Sequence, residues 1–431
     1  MEELDTPGES APPLAETSPV AVNSELRNFV SLIAHQVSVR VAWVFKTESV
    51  LIPAFLDHIS GSGIVRGCLP ILNRIGQSFP PLWMADRIQT TPRKKWMLLL
   101  TTWLMGLPWI FLAMVLWQRE GENFTGFTTL FLVLYTLFFA ATGLNRVIFG
   151  TLQGKLIPAG HRGRLLGISG ILGSILSVAA LLYVQNYMTI TGYRLYFVSF
   201  LISGVGMVLA GLTCFSIIEP PDHYEPSKNN LRQQLAEAGV ILKNNRPFRQ
   251  LAIVSTLTVT ILLIFPHYQT FAREHLATEN ERLMSWVIAQ NIGAGVFSLL
   301  LGWLADRWGN KLAIQVALGV IISGPLLALL LASPILEGLH PWFWITYFVL
   351  GMTPVTDKAI TNYCLEVVPA SEHAQSLSTL KLCMMVPLLF SVVVGFLIDL
   401  VGFTPVFVGS SLIVVYALWE TRKMTEPRYE D

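Results

Sequence analysis

The chain has 431 residues, 53% of them hydrophobic and only 13% charged, with a mean hydropathy of +0.55. Soluble domains carry roughly 25% charged residues, so this composition excludes a disordered chain, a nucleic-acid binder and an ordinary cytosolic enzyme. The formal net charge of +1 gives no electrostatic footprint for an acidic partner, and an all-α polytopic membrane protein remains.

Residues 1–27, with Pro7, Pro12, Pro13 and Pro19 among acids and small residues, read as a disordered tail. They lack the basic start and short apolar core of a secretory signal, so the N-terminus is expected to stay in the cytoplasm. A bilayer core of about 30 Å takes roughly 20 apolar residues per helix. By that measure six spans fall near 30–56, 64–84, 96–117, 127–153, 165–187 and 194–217. The polar stretch 218–247 opens on a helix stop, Glu219-Pro220-Pro221-Asp222. Leu231, Leu235, Ala238, Ile241 and Leu242 then recur at helical spacing, as in an amphipathic helix along the membrane surface. Six more spans follow near 249–271, 284–304, 312–333, 342–365, 376–398 and 403–420. The expected organisation is a tail (1–27), a six-helix bundle (28–217), a linker (218–247), a second six-helix bundle (248–420) and a tail (421–431), twelve spans in all.

Basic residues orient this layout. Eighteen of the 29 Lys and Arg residues fall on one side, against five (Arg66, Arg119, Arg194, Arg273, Arg282) on the other. The positive-inside rule puts the first side, with both termini, in the cytoplasm, as in a plasma or inner-membrane protein. The halves repeat. Asn28-Phe29 opens the first span and Pro247-Phe248 the seventh; Asp86-Arg87 follows the second and Asp306-Arg307 the eighth; Pro158-Ala159 follows the fourth and Pro369-Ala370 the tenth. Three matches in the same order mark an internal repeat. The cysteines (Cys68, Cys214, Cys364, Cys383) are scattered without metal or disulfide spacing. No metal, cofactor or nucleophile–base pair is expected.

The strongest motif is Gly302-Trp303-Leu304-Ala305-Asp306-Arg307-Trp308-Gly309-Asn310-Lys311. It resembles the G-x-L-A-D-R-x-G-R-K loop of the major facilitator superfamily. The first-half copy, Leu82-Trp83-Met84-Ala85-Asp86-Arg87, keeps the Asp-Arg pair and loses both glycines. The segment 158–167, with Arg162 and Arg164, looks like that superfamily's loop between helices 4 and 5. The resemblance implies a conformational latch, in which the loop after span 8 meets the start of span 5 when the cytoplasmic side closes. Asp306 would then face Arg162 and Arg164, a carboxylate against the positive start of a helix. Asp86 would face the region of Glu372-His373, which has no arginine, so the latch is expected to be asymmetric. Arg146-Val147-Ile148-Phe149-Gly150 resembles the family's R-x-x-x-G element, with Arg146 displaced toward the cytoplasm.

Ionisable residues within spans are costly, roughly 2.5–3.5 kcal/mol each at a helix centre on insertion scales. They are Arg40, Lys46 and Glu48 (span 1), Arg74 (span 2), Arg146 (span 4), His267 (span 7), Asp357 and Lys358 (span 10) and Lys381 (span 11). Asp57, Glu366 and Asp399 sit at helix ends, within reach of water. In the superfamily fold, spans 1, 4, 7 and 10 line a central cavity, flanked by 2, 5, 8 and 11, which is where these charges fall. Their positive excess points to an anionic solute; the competing reading is that Glu48 and Asp357 pair with neighbouring cations and hold helices in register. On an ideal helix Lys46 and Glu48 point about 160° apart, so one of them is expected to be structural. Glu48, then Asp357, then His267 are candidates for proton coupling. Gly163, Gly167, Gly170 and Gly173 read as a close-packing stripe on span 5. The expected function is a secondary transporter of a small, anionic solute, working as a monomer by alternating access with proton coupling. A drug-efflux pump and a transporter-like sensor are the alternatives; no nucleic-acid partner is expected.

Overall fold

The computed structural model describes residues 19–187, 192–221, 231–276, 282–369 and 373–426. Among them every element is helical. Before the linker stand α1 (Pro19–Trp43), α2 (Leu51–Ile59), α3 (Gly63–Trp83), α4 (Ala85–Thr90), α5 (Lys94–Gln118), α6 (Phe127–Leu156), α7 (Ala159–Tyr187) and α8 (Tyr193–Leu212). The linker carries α9 (Leu231–Asn244), the helix its apolar spacing predicts. After it come α10 (Arg246–Val259), α11 (Tyr268–Leu276), α12 (Leu283–Trp308), α13 (Asn310–Leu331), α14 (Trp344–Leu350), α15 (Thr353–Val367), α16 (His373–Leu388), α17 (Ser391–Val401) and α18 (Phe403–Glu420). Helix α1 begins at Pro19, inside the stretch read as a tail, where proline's fixed φ suits the first helical turn.

Nine stretches of the described residues are long and apolar enough to cross a membrane. They are α5, α6, most of α7, α8, α10 with α11, α12, α13, α16 with α17, and α18. Three expected spans fall outside that set, and each carries intramembrane charge. Residues 19–59 break between α1 and α2, and 344–367 break at Gly351-Met352. Helix α3 holds Arg66, Arg74, Pro70, Pro80 and Pro81.

The elements before α9 pack chiefly with one another, α5 on α8 and α6, and α1 on α7 and α8; those after it do the same, α13 on α18 and α10 on α16. Each set buries its own aromatic cluster. Phe55 contacts Phe127, Phe131, Tyr196 and Phe200 in the first. Phe271 contacts Phe343, Phe403 and Phe407 in the second.

A repeated cap supports the internal symmetry. Glu219, after α8, accepts the N–H groups of Lys94 (2.9 Å) and Lys95 (2.7 Å) at the start of α5. Glu426, after α18, accepts the N–H of Lys311 (2.9 Å) at the start of α13. Both carboxylates meet the positive end of a helix. Gly309 has φ of +90° with the Glu426 carboxyl against it, so the motif's second glycine is required by the backbone.

Candidate functional site

Midway along the helices, charged side chains from both sets come within electrostatic reach of one another. Asp357 on α15 pairs with Lys381 on α16 at 2.5 Å; their side chains are 48% and 39% exposed. Arg74 on α3 interacts electrostatically with Asp357 and with Arg146 on α6. Arg40 on α1 does so with Lys358 on α15. Arg146 and Lys358 are exposed, Arg40 and Arg74 half-buried. Two of these relations, Arg40 with Lys358 and Arg74 with Asp357, cross between the sets. Mid-helix charges tolerate such depth only beside water or each other, so we infer a wet, positive cleft between the sets at this level. Ser49 and Gln290 also bond across the sets, at 2.5 Å.

Lys46 and Glu48 behave otherwise. Helix α1 ends at Trp43, a 3-10 turn covers Val44–Lys46, and the chain is non-helical at Thr47. This break overturns the ideal-helix expectation: the two side chains turn toward each other and pair at 2.7 Å. The Lys46 side chain is fully buried, its Nζ 3.1 Å from the Trp43 ring centroid and 4.3 Å from that of Phe138. Lys46 therefore does not line the cleft. Glu48 reaches its edge, with the second oxygen accepting from Asn73 at 2.8 Å.

His267 is not in the cleft either. It is fully buried in a 3-10 turn before α11 and accepts from Arg66 Nε at 3.5 Å. Around it the two sets are tied together at the end of the bundle away from the basic loops. Asp57 pairs with Arg66 of its own set, accepts from Thr270 Oγ1 of the other (2.7 Å), and lies 3.6 Å from Arg273. Asp399, at the end of α17, accepts the N–H groups of Gly63 (3.0 Å) and Ile64 (3.3 Å) at the start of α3. A Cβ at Gly67 would meet Ser391 O at 2.6 Å, and Gly63 and Gly395 face each other as closely. Asp57 and Asp399, expected merely to reach water, are cross-set ties.

At the basic end the latch residues stand differently. Arg87, Arg164, Asp306 and Arg307 are exposed, and Arg162 donates within its own set, to Ile157 O (2.9 Å) and Gly154 O (2.6 Å). A Cβ at Gly302, Gly167 or Gly170 would meet nothing within 4 Å. The expected close-packing stripe of α7 is thus without close neighbours at those two positions; Gly173 is the exception, pressed by the Arg40 side chain. The Asp86 side chain, Gly163 and Glu372 lie outside the described residues.

Two sets of membrane helices joined by a linker, tied at the end away from the basic loops and carrying interacting charges at mid-depth, have the arrangement of an alternating-access transporter. The profile of the Major Facilitator Superfamily matches residues 78–353 and 271–429. The chain belongs to that superfamily, and so is an integral membrane protein with a transporter fold. The fold is similar to a point mutant of the nucleoside transporter NupG (TM-score 0.71, 13% identity, 94% of this chain and 100% of that one). It is also similar to a D-xylose-proton symporter (0.68, 12%, 93% and 99%). A bacterial homologue of the iron transporter ferroportin in an inward-facing state gives 0.67 at 12% identity, over 92% and 98%. No curated protein matches the sequence.

Proposed function

We propose that the protein is a proton-coupled secondary transporter of a small anionic solute, built from twelve spans in two six-helix halves with both termini cytoplasmic. The observation that carries the anion reading is the charge cluster itself, where among the described residues Arg40, Arg74, Arg146, Lys358 and Lys381 outnumber Asp357, with Glu48 already paired to Lys46 at its edge. Such a surplus raises the local concentration of an anion and stabilises it once bound. An apolar drug would gain nothing from these charges. The three spans beyond the nine are residues 19–59, α3 and 344–367, where breaks shorten the helices and charges lower their hydropathy. Arg87, Arg162, Arg164, Gly302, Asp306, Arg307, Gly309 and Lys311, with Asp86, form the latch of the opposite state.

The test is uptake by the purified protein in liposomes under an imposed inward proton gradient. Labelled lactate and phosphate are expected to accumulate, and a proton ionophore to abolish the accumulation. Xylose and uridine, neutral solutes of the kind named for the similar folds, should show no flux. Flux of a neutral solute without flux of either anion would overturn the reading.

A further inference from the structure

We propose that the segment Pro334–Trp342 is an interfacial membrane anchor, an apolar turn that lies in the lipid headgroup zone at the tied end of the bundle and holds the second set to that leaflet. It joins α13 to α14 and is wound in 3-10 turns on either side of a kink at Leu336, with none of its residues buried. What it exposes is apolar: Ile335 is 91% and Trp342 51% exposed, with Leu339 and Trp344 exposed beside them. Residues three apart eclipse in a 3-10 turn, so Leu339 and Trp342 share one stripe while Glu337 and His340 share another. Glu337 is the segment's one formally charged residue. An apolar stripe with tryptophan at its end and a carboxylate on another face suits the boundary between acyl chains and headgroups. Exposed apolar surface of this kind marks contact with lipid or with protein. Position decides for lipid, because α13 is a membrane span that starts at the basic end, and the segment begins where that span leaves the bilayer.

The backbone suits that setting, where unpaired peptide groups are costly. Ser333 closes the segment on itself: its Oγ accepts the Ile335 N–H at 3.3 Å, and its carbonyl accepts the Leu336 N–H at 3.0 Å and His340 Nε2 at 3.3 Å. The corresponding loop of the first set, between α5 and α6, has the opposite chemistry. It carries Arg119, Glu120 and Glu122. It also folds back on its own set, with Asn123 donating to Ile59 O at 2.6 Å and His58 Nε2 donating to Gly121 O at 3.3 Å. Arg119 lies over the Phe124 ring, 5.3 Å from its centroid. The repeat thus puts a charged, self-bound loop on one set and an apolar, projecting one on the other. The second is built to enter the leaflet, which gives its set a fixed reference while the first set rocks against it. The anchor is independent of the identity of the solute.

Spin labels on the full-length protein in phosphatidylcholine vesicles test this, with the four native cysteines replaced by alanine and one label placed through Ile335→Cys, Leu339→Cys or Glu122→Cys. Labels at 335 and 339 should be reached by oxygen in preference to a water-soluble nickel complex, at a depth of about 5–10 Å into the headgroup–acyl boundary. The label at 122 should show the reverse. Immersion should be the same when anionic phosphatidylglycerol is added, since the segment has no lysine or arginine for it to attract. Adding Ile335→Asp and Trp342→Ser should leave the melting temperature in detergent unchanged, because neither side chain is buried, and should bring the label at 339 out into water. Nickel access at 335 equal to that at 122 overturns the proposal. So does a label at 339 that stays immersed in the Asp and Ser variant, for then the neighbouring spans set the depth and the stripe does not. Immersion that requires the anionic lipid overturns it as well. Dipolar broadening between labels of two copies, with neither oxygen nor nickel reaching 335, would give the surface to a second copy of the chain and overturn the lipid assignment.

Discussion

An ammonium sealed inside the helix packing needs partners, and Lys46 has two kinds. One is the Glu48 carboxylate at 2.7 Å; the other is the ring faces of Trp43, Phe138 and Phe139, 3.1 to 5.0 Å from its Nζ. The pair is asymmetric, for the Lys46 side chain is sealed while that of Glu48 is 28% exposed. Glu48→Gln should therefore cost more stability than the larger change Lys46→Met. The first leaves an unpaired charge buried, about 3 kcal/mol; the second leaves a carboxylate that still meets water and Asn73. Adding Lys46→Met to Glu48→Gln should recover part of the loss. Thermal unfolding in detergent measures all three, and equal melting temperatures for the single variants would refute the asymmetry. The sequence showed that both residues were charged and inside the membrane. It could not show their pairing: Pro53 in the first turn of α2 signals that the helix breaks before it, but not how the side chains turn at the break.

At the scale of elements, the closure far from the basic loops is made by a helix end meeting a side chain of the other set. Asp399 receives two backbone N–H groups at the start of α3, and Gly63, Gly67 and Gly395 let α3 and α17 approach to backbone contact. A carboxylate at a helix N-terminus gains both the hydrogen bonds and the dipole. Asp399→Ala should favour opening at this end by about 1.4 kcal/mol, a tenfold shift in population. Gly395→Val should do more, since its side chain has no space beside Gly63. Spin-label distances across this end report both, and unchanged distances in Gly395→Val would remove α3–α17 contact as the closing element. Much of the fold was legible from the spacing of apolar runs and the repeated Asp-Arg loops. The ties were not, since a helix-end aspartate reads the same whether it faces water or another helix's N–H groups. One signal was available: Glu219-Pro220 and Glu426-Pro427 repeat, and both glutamates cap helices.

For the molecule as a whole, the glycines record which end is in use. At the closed end a Cβ on Gly63, Gly67 or Gly395 would strike the other set, whereas at the basic end Gly302, Gly167 and Gly170 have open space around them. Glycine weakens a helix by about 1 kcal/mol relative to alanine, so glycines idle in one state imply close approach in another. In the latch proposed above, that other state would bring the start of α7 to the end of α12, where Asp306 would meet the helix start beside Arg162 and Arg164. Gly302→Val should consequently fold as stably as the wild type and bind substrate from the basic side unchanged. It should disfavour only the state closed at that end, by a volume the helices cannot absorb. Transport should fall about tenfold or more while equilibrium affinity stays put, the signature of a lost conformation rather than a lost site. Asp306→Asn should give the same split more weakly, since it removes attraction without adding bulk. Turnover in liposomes set beside binding in nanodiscs separates the two effects. Wild-type turnover in Gly302→Val would mean that the basic ends never come together at this loop, and the latch would have to be sought elsewhere.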